Sequence, residues 1–85
     1  MAWFVYIVEC IDKSFYTGIT WNLKKRILNH NDGTFKNSFT KGRLPVKLVY
    51  WEKLTNRFKA AEREKIIKGF GRLKKKELIS SLLRT

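Results

Sequence analysis

Within the first twenty residues, two short runs dense in aromatic and β-branched side chains, WFVYIVEC and FYTGIT, are separated by a polar break at Asp12-Lys13-Ser14. Such side chains fit a pleated, half-buried surface, and a break this short allows only a tight reversal between the runs. The pattern is that of an antiparallel hairpin. Strand alternation places Phe4, Tyr6, Val8 and Cys10 on one face of the first strand and Tyr16 and Gly18 on one face of the second. Pairing can therefore bring Tyr6 and Tyr16 together.

Downstream the period changes. Thr20 or Asn22 offers an N-cap to a helix running roughly from Trp21 to Asn31, with Leu23, Ile27 and Leu28 as its apolar stripe and Asn31-Asp32-Gly33 as its stop. Residues 33–44 have no sustained period and carry Lys36, Lys41 and Arg43, a basic loop. Pro45 opens VKLVYWE, where Val46, Leu48 and Tyr50 alternate with Lys47, Val49 and Trp51 as in a third strand. Asn56 caps a helix from Arg57 to Lys68, Gly69 and Gly71 interrupt it, and Leu78, Ile79, Leu82 and Leu83 form one face of a last helix. The order β-β-α-β-α-α predicts an α+β fold, a three-stranded antiparallel sheet flanked by helices. With 85 residues, 44% of them hydrophobic, the chain has a core for one domain spanning 1–85.

A net charge of +12 concentrates polyanions around so short a chain, which makes nucleic acid the expected partner. A membrane surface would suit the charge as well, but no stretch approaches a spanning length, and the first apolar run is too short for a signal peptide. The expected location is cytoplasmic. The lone Cys10 cannot form an internal disulfide, and no Cys/His set has zinc spacing.

Arg26 and His30 stand four residues apart and share a helix face beside the Leu23/Ile27 stripe. A guanidinium there can hold two phosphate oxygens, and an imidazole can bind phosphate or move a proton. The competing reading is a solvated charge run with Lys24 and Lys25. Glu64 has Ala60 and Ala61 one turn before it and Ile67 one turn after, small and apolar surroundings that leave room for a metal ion and substrate. Its competing reading is a surface pair with Lys68. A single carboxylate suits a hard, largely hydrated ion such as Mg2+ or Mn2+. For Tyr6 and Tyr16 the competing reading is cross-strand packing, which is also the reading taken for Tyr50, Trp3 and Trp51.

Taken in chain order, Phe4-Val5-Tyr6, Tyr16-Thr17-Gly18, Thr20 to Arg26 with His30, Leu44-Pro45-Val46 leading into Val49 to Glu52, and Ala60 to Gly69 resemble the GIY-YIG nuclease superfamily, in particular its small stand-alone bacterial group. The resemblance covers about residues 3 to 80. Phe4 replaces the first motif glycine and Thr17 the central isoleucine of the second motif. The resemblance implies an α/β sandwich on a three-stranded antiparallel sheet and a phosphodiester hydrolase with one divalent ion on Glu64. It further implies that Tyr6 helps to activate the attacking water, that Tyr16 supports it, that Arg26 stabilises charge on the scissile phosphate, and that His30 contacts phosphate or water. Gly18, lacking a side chain, lets the backbone approach the site closely.

Lys36, Lys41, Arg43, Lys68, Arg72, Lys74 and Lys75 then read as a footprint on the phosphate backbone, giving salt-sensitive affinity with weak sequence discrimination. The leading function is a metal-dependent nuclease acting on DNA. Two alternatives stay open: a non-catalytic nucleic-acid-binding module with a vestigial site, and an interaction subunit whose charge serves an acidic protein or RNA surface.

Overall fold

The structure is a computed structural model describing residues 2–32 and 42–83. Strands β1 (Trp3–Glu9) and β2 (Phe15–Thr20) are followed by helix α1 (Leu23–Asn31), strand β3 (Lys47–Leu54) and helices α2 (Arg57–Lys68) and α3 (Arg72–Leu83). This is the expected order. β1 lies at the centre of a three-stranded sheet, antiparallel to β2 on one side and β3 on the other. Among the described residues no helix is long and apolar enough to cross a membrane.

The sheet has one apolar surface on each face, so it can carry helices on both. Tyr6, Val8, Cys10 and Val46 pack with Leu23 and Ile27 of α1. On the other face Val5, Ile7 and Tyr50 pack with Ala60 and Ile67 of α2 and with Leu78, Ile79 and Leu82 of α3. Ala60 is fully buried against the sheet, so its small size is used for close helix packing rather than for making room beside Glu64.

Two expectations change at the level of faces. In β3, Tyr50 pairs with Ile7 but Leu48 with Val8, so Val49 is an extra residue and the simple alternation of Val46, Leu48 and Tyr50 is broken. A bulge of this kind moves the residues beyond it to the other side of the sheet, which is why Leu48 joins the α1 face while Tyr50 joins the α2 and α3 face. In α1, Leu28 is exposed and not part of the apolar stripe, because the inward position of the last turn is taken by the buried His30.

Local polar contacts fix the element ends. The helix starts at Leu23, with Asn22 rather than Thr20 as its cap: Asn22 Oδ1 accepts from the Lys25 N–H at 3.0 Å, and Thr20 Oγ1 accepts from the Asn22 N–H at 3.1 Å. At its other end Asn31 does more than stop a helix. Its amide accepts from the Val46 N–H at 2.7 Å and donates to the Val46 carbonyl at 3.1 Å, pinning the entry to β3 against α1. In the β1–β2 turn the Asp12 carboxylate accepts from the Ser14 N–H at 3.1 Å and pairs with Arg43 at 3.0 Å. Lys13, at φ 72°, occupies the left-handed region, and its carbonyl accepts from Arg72 Nη1 at 2.9 Å.

Thr17 is buried opposite Ile7 in β1, and its hydroxyl is the buried side-chain oxygen without a hydrogen-bond partner among the described residues. A buried hydroxyl that has left water without gaining a partner costs free energy that an isosteric methyl avoids, so Thr17→Val is expected to stabilise the fold by about 1 kcal/mol. Urea unfolding of the variant beside the wild type checks this, and a lower midpoint would show that Thr17 has a partner in solution.

Candidate active site

Tyr6 stands in the middle of the central strand, facing α1, and is 1% exposed. Directly opposite it in β2 is Gly18. A Cβ on Gly18 would lie 2.6 Å from the Tyr6 hydroxyl oxygen and 2.8 Å from Cζ, so the phenol ring occupies the space any other residue would need. Lying over the β2 backbone in this way, the ring projects its hydroxyl to α1, where it is 3.1 Å from His30 Nε2. Tyr16, two residues before Gly18 on the same face, completes the group. Its ring centroid is 6.4 Å from that of Tyr6 and 5.5 Å from that of His30. The hairpin thus brings the two tyrosines together, and α1 adds the histidine.

Arg26, one turn before His30, donates from Nη2 to the Ile19 carbonyl at 3.3 Å, which holds the guanidinium along the edge strand β2. From the opposite helical layer, α2 packs over β2 and β1. Lys68 Nζ lies 5.9 Å from the centre of the Tyr16 ring and 3.7 Å from Glu64 Oε2. The Glu64–Lys68 pair expected from spacing is therefore present, and it stands beside the tyrosines.

Electrostatics define the protonation states. Burial pushes the Tyr6 phenol above its ordinary 10, with Tyr16 and Glu64 adding to the rise and Arg26 opposing it. Burial, followed by the charge of Arg26, lowers His30 below its ordinary 6.5. At neutral pH the pair is a neutral phenol bonded to a neutral imidazole. That permits two arrangements: the Tyr6 hydroxyl donates to Nε2, or Nε2–H donates to the Tyr6 oxygen.

The donor set bears on metal binding. Among the described residues there is no group of three His, Cys, Asp or Glu side chains able to enclose an ion. Glu64, a partly buried carboxylate whose charge is felt at the Tyr6 phenol, offers oxygen donors only. This chemistry fits a hard ion that keeps most of its water, as Mg2+ does, and does not fit structural zinc.

The remaining residues of the expected footprint are dispersed. Arg43 and Arg72 tie down the β1–β2 turn, and Arg72 also lies 4.7 Å from the Phe15 ring centre. Lys74 sits 4.4 Å over the Phe70 ring, and it and Lys75 belong to α3, in the layer opposite α1. Lys36 and Lys41, with Gly33 as the helix stop, lie outside the described residues.

One polar cluster escaped the sequence reading. Arg63 of α2 donates to both oxygens of Glu52 on β3, at 2.9 to 3.1 Å, and the Tyr50 hydroxyl donates to the same carboxylate. Burial alone would raise Glu52, but the hydrogen bonds from Arg63 and Tyr50 hold it below its ordinary value, and burial with Glu52 pushes Tyr50 up to about 12. The two-residue spacing of Tyr50 and Glu52 was a local clue. Nothing local pointed to Arg63.

Two outcomes are expected from the Tyr6–Gly18–His30 contact. Gly18→Ala should destabilise by about 1–3 kcal/mol, because the Cβ must displace a fully packed ring, and a calorimetric melt beside the wild type tests it. His30 takes up a proton less readily folded than unfolded, so its contribution is complete above pH 6.5 and is lost as pH falls through the lower folded value. Urea midpoints at about pH 7.5 and about pH 5 should therefore converge between the wild type and His30→Gln, the acid-induced loss from other groups being common to both.

Comparison with known proteins agrees with the fold and gives the family. Residues 2–77 match the model of the GIY-YIG catalytic domain. A UPF0213 protein of Clostridium perfringens is 51% identical over 78 residues, 92% of this chain and 83% of that one. The solution structure of a UPF0213 protein of Bacillus halodurans superposes with a TM-score of 0.59 at 38% identity, covering 94% of this chain and 84% of that one. That of an E. faecalis protein gives 0.66 at 29% identity, covering all of this chain and 90% of that one. The chain belongs to the GIY-YIG nuclease superfamily, among its small UPF0213-like members.

Proposed function

We propose that this protein is a divalent-metal-dependent nuclease that hydrolyses phosphodiester bonds in DNA. The observation that carries the reading is the 3.1 Å contact between the Tyr6 hydroxyl and His30 Nε2, with Tyr16, Arg26 and Glu64 close enough to shift the Tyr6 phenol.

A raised phenol is a poor base by itself, because it rarely gives up its proton near neutrality. Bonded to a neutral imidazole it acts differently. As water attacks phosphorus, the water proton passes to the Tyr6 oxygen while the Tyr6 proton passes to His30 Nε2, so neither group becomes an isolated buried charge until the imidazolium forms. Tyr16 borders both rings and screens the relay from competing water. Arg26 faces the developing negative charge on the phosphate oxygens. A Mg2+ or Mn2+ ion held by Glu64 and otherwise hydrated would supply charge neutralisation at the phosphate and its leaving oxygen. Glu64 must leave Lys68 to do this; their separation of 3.7 Å, with Lys68 exposed, makes that a weak contact to give up.

The same pair is what favours the second reading, a binding module whose carboxylate serves only an ion pair. Cleavage of labelled duplex, flapped, branched and single-stranded DNAs with Mg2+ or Mn2+ separates the two. The wild type is expected to cut at least one of them, Glu64→Ala to cut none, and Tyr6→Phe to lose about 10²–10⁴ in rate, with affinity for DNA nearly unchanged in both variants. Retained cleavage in pure Glu64→Ala protein would overturn the nuclease reading. Salt-sensitive binding by a wild type that cuts no substrate would establish the second.

A further inference from the structure

Where β2 passes into α1, an open pocket of about 240 Å³ is lined by Thr20, Trp21, Asn22, Lys25, Arg26 and Asn29. Its composition is unlike that of a gap left by imperfect packing: one large indole, two cations and two amides. Trp21 is 50% exposed. The turn it occupies is already closed by the Thr20 and Asn22 side chains, so the indole is not needed to hold the backbone. Asn22 also caps the helix, which leaves Lys25 and Arg26, and not the helix end, as the source of attraction for an anion.

An accessible aromatic face beside cations is the arrangement that holds unpaired nucleotides, the base stacking on the ring and the phosphates meeting the charges. A fully paired duplex would bring phosphates to Lys25 and Arg26 but no free base face to Trp21. Arg26 connects the pocket to the reacting groups, since the same guanidinium reaches the Ile19 carbonyl and its charge is felt at both Tyr6 and His30. A nucleotide in the pocket is therefore a neighbour of the phosphate to be cut.

We propose that this pocket is a base-stacking subsite, in which an unpaired nucleobase lies on Trp21 while Lys25 and Arg26 hold the phosphates beside it. The inference rests on the nuclease reading and narrows its substrate to DNA with an unpaired nucleotide next to the scissile bond, as in flaps, bulges and single strands.

The test is binding, measured by fluorescence anisotropy in chelator so that no cleavage intervenes, of a flapped duplex and of a blunt duplex of equal length. Trp21→Ala is expected to weaken flap binding about tenfold, the size expected for loss of one stacked base, while blunt-duplex binding changes less than about twofold. Trp21→Phe, which keeps an aromatic face, should recover most of the loss. Equal weakening on both DNAs, or none on either, would overturn the subsite. Because cleavage plays no part in the readout, the two readings fail separately. Trp21-dependent flap binding by a protein that cuts nothing with Mg2+ or Mn2+ would leave the subsite and remove the nuclease. Glu64-dependent cutting with Trp21→Ala binding like the wild type would do the reverse.

Discussion

The contact between the central strand and α1, Tyr6 hydroxyl to His30 Nε2, is the constraint around which this small fold is arranged. A phenol and an imidazole, both nearly excluded from water, would each lose about 1–3 kcal/mol if left without a partner. Pairing them removes that penalty and fixes the rotation of α1 about its own axis. With His30 turned inward, Leu28 is turned out, and Arg26, one helical turn earlier, is carried to the same side as the imidazole. Gly18 makes the arrangement possible, because the Tyr6 ring fills the volume a side chain there would need.

The other face is fixed by charge. Arg63 holds Glu52 through both carboxylate oxygens, which anchors α2 toward β3. Successive residues on a helix are about 100° apart around the axis, so anchoring Arg63 on that side swings Glu64 away from it, toward β2 and the tyrosines. A partly buried pair of this kind adds little net stability, but losing one partner is costly, so it acts as a strong registry pin. The two helical layers thus reach the same edge of the sheet by independent routes, α1 through a neutral hydrogen bond and α2 through an ion pair. Lys68 then joins them, lying over Tyr16 while paired with Glu64.

Among the described residues, several of the cations behind the +12 net charge are committed to contacts within the fold. Arg43 and Arg72 brace the hairpin turn, Arg63 is committed to Glu52, and Lys74 lies over an aromatic ring. Arg26 and Lys25 stand where an indole, a strand edge and the tyrosine–histidine pair meet. Binding affinity for a polyanion can come from the whole charge, whereas selection of a substrate shape requires the few groups placed beside the chemistry.

The element order, the antiparallel hairpin and the meeting of Tyr6 with Tyr16 were legible in the chain because they depend on short-range facts: a period of two, a polar break of a few residues, caps at Asn22 and Asn56. The shared face of Arg26 and His30 was legible for the same reason. What could not be read locally was anything set by contacts across the sheet. The bulge at Val49 reverses the faces of β3, and Arg63 meets Glu52 eleven residues away. The outward turn of Leu28 and the bracing roles of Arg43 and Arg72 are decided by what stands opposite them. By itself the sequence determined which elements form and which polar side chains each of them carries, since both depend on side-chain type and spacing along one segment. Only the tertiary structure decided that phenol, imidazole, guanidinium and carboxylate gather at the β2 edge, because that convergence depends on the rotation of two helices on opposite faces, each set by a polar partner distant in the chain, buried for α1 and partly buried for α2.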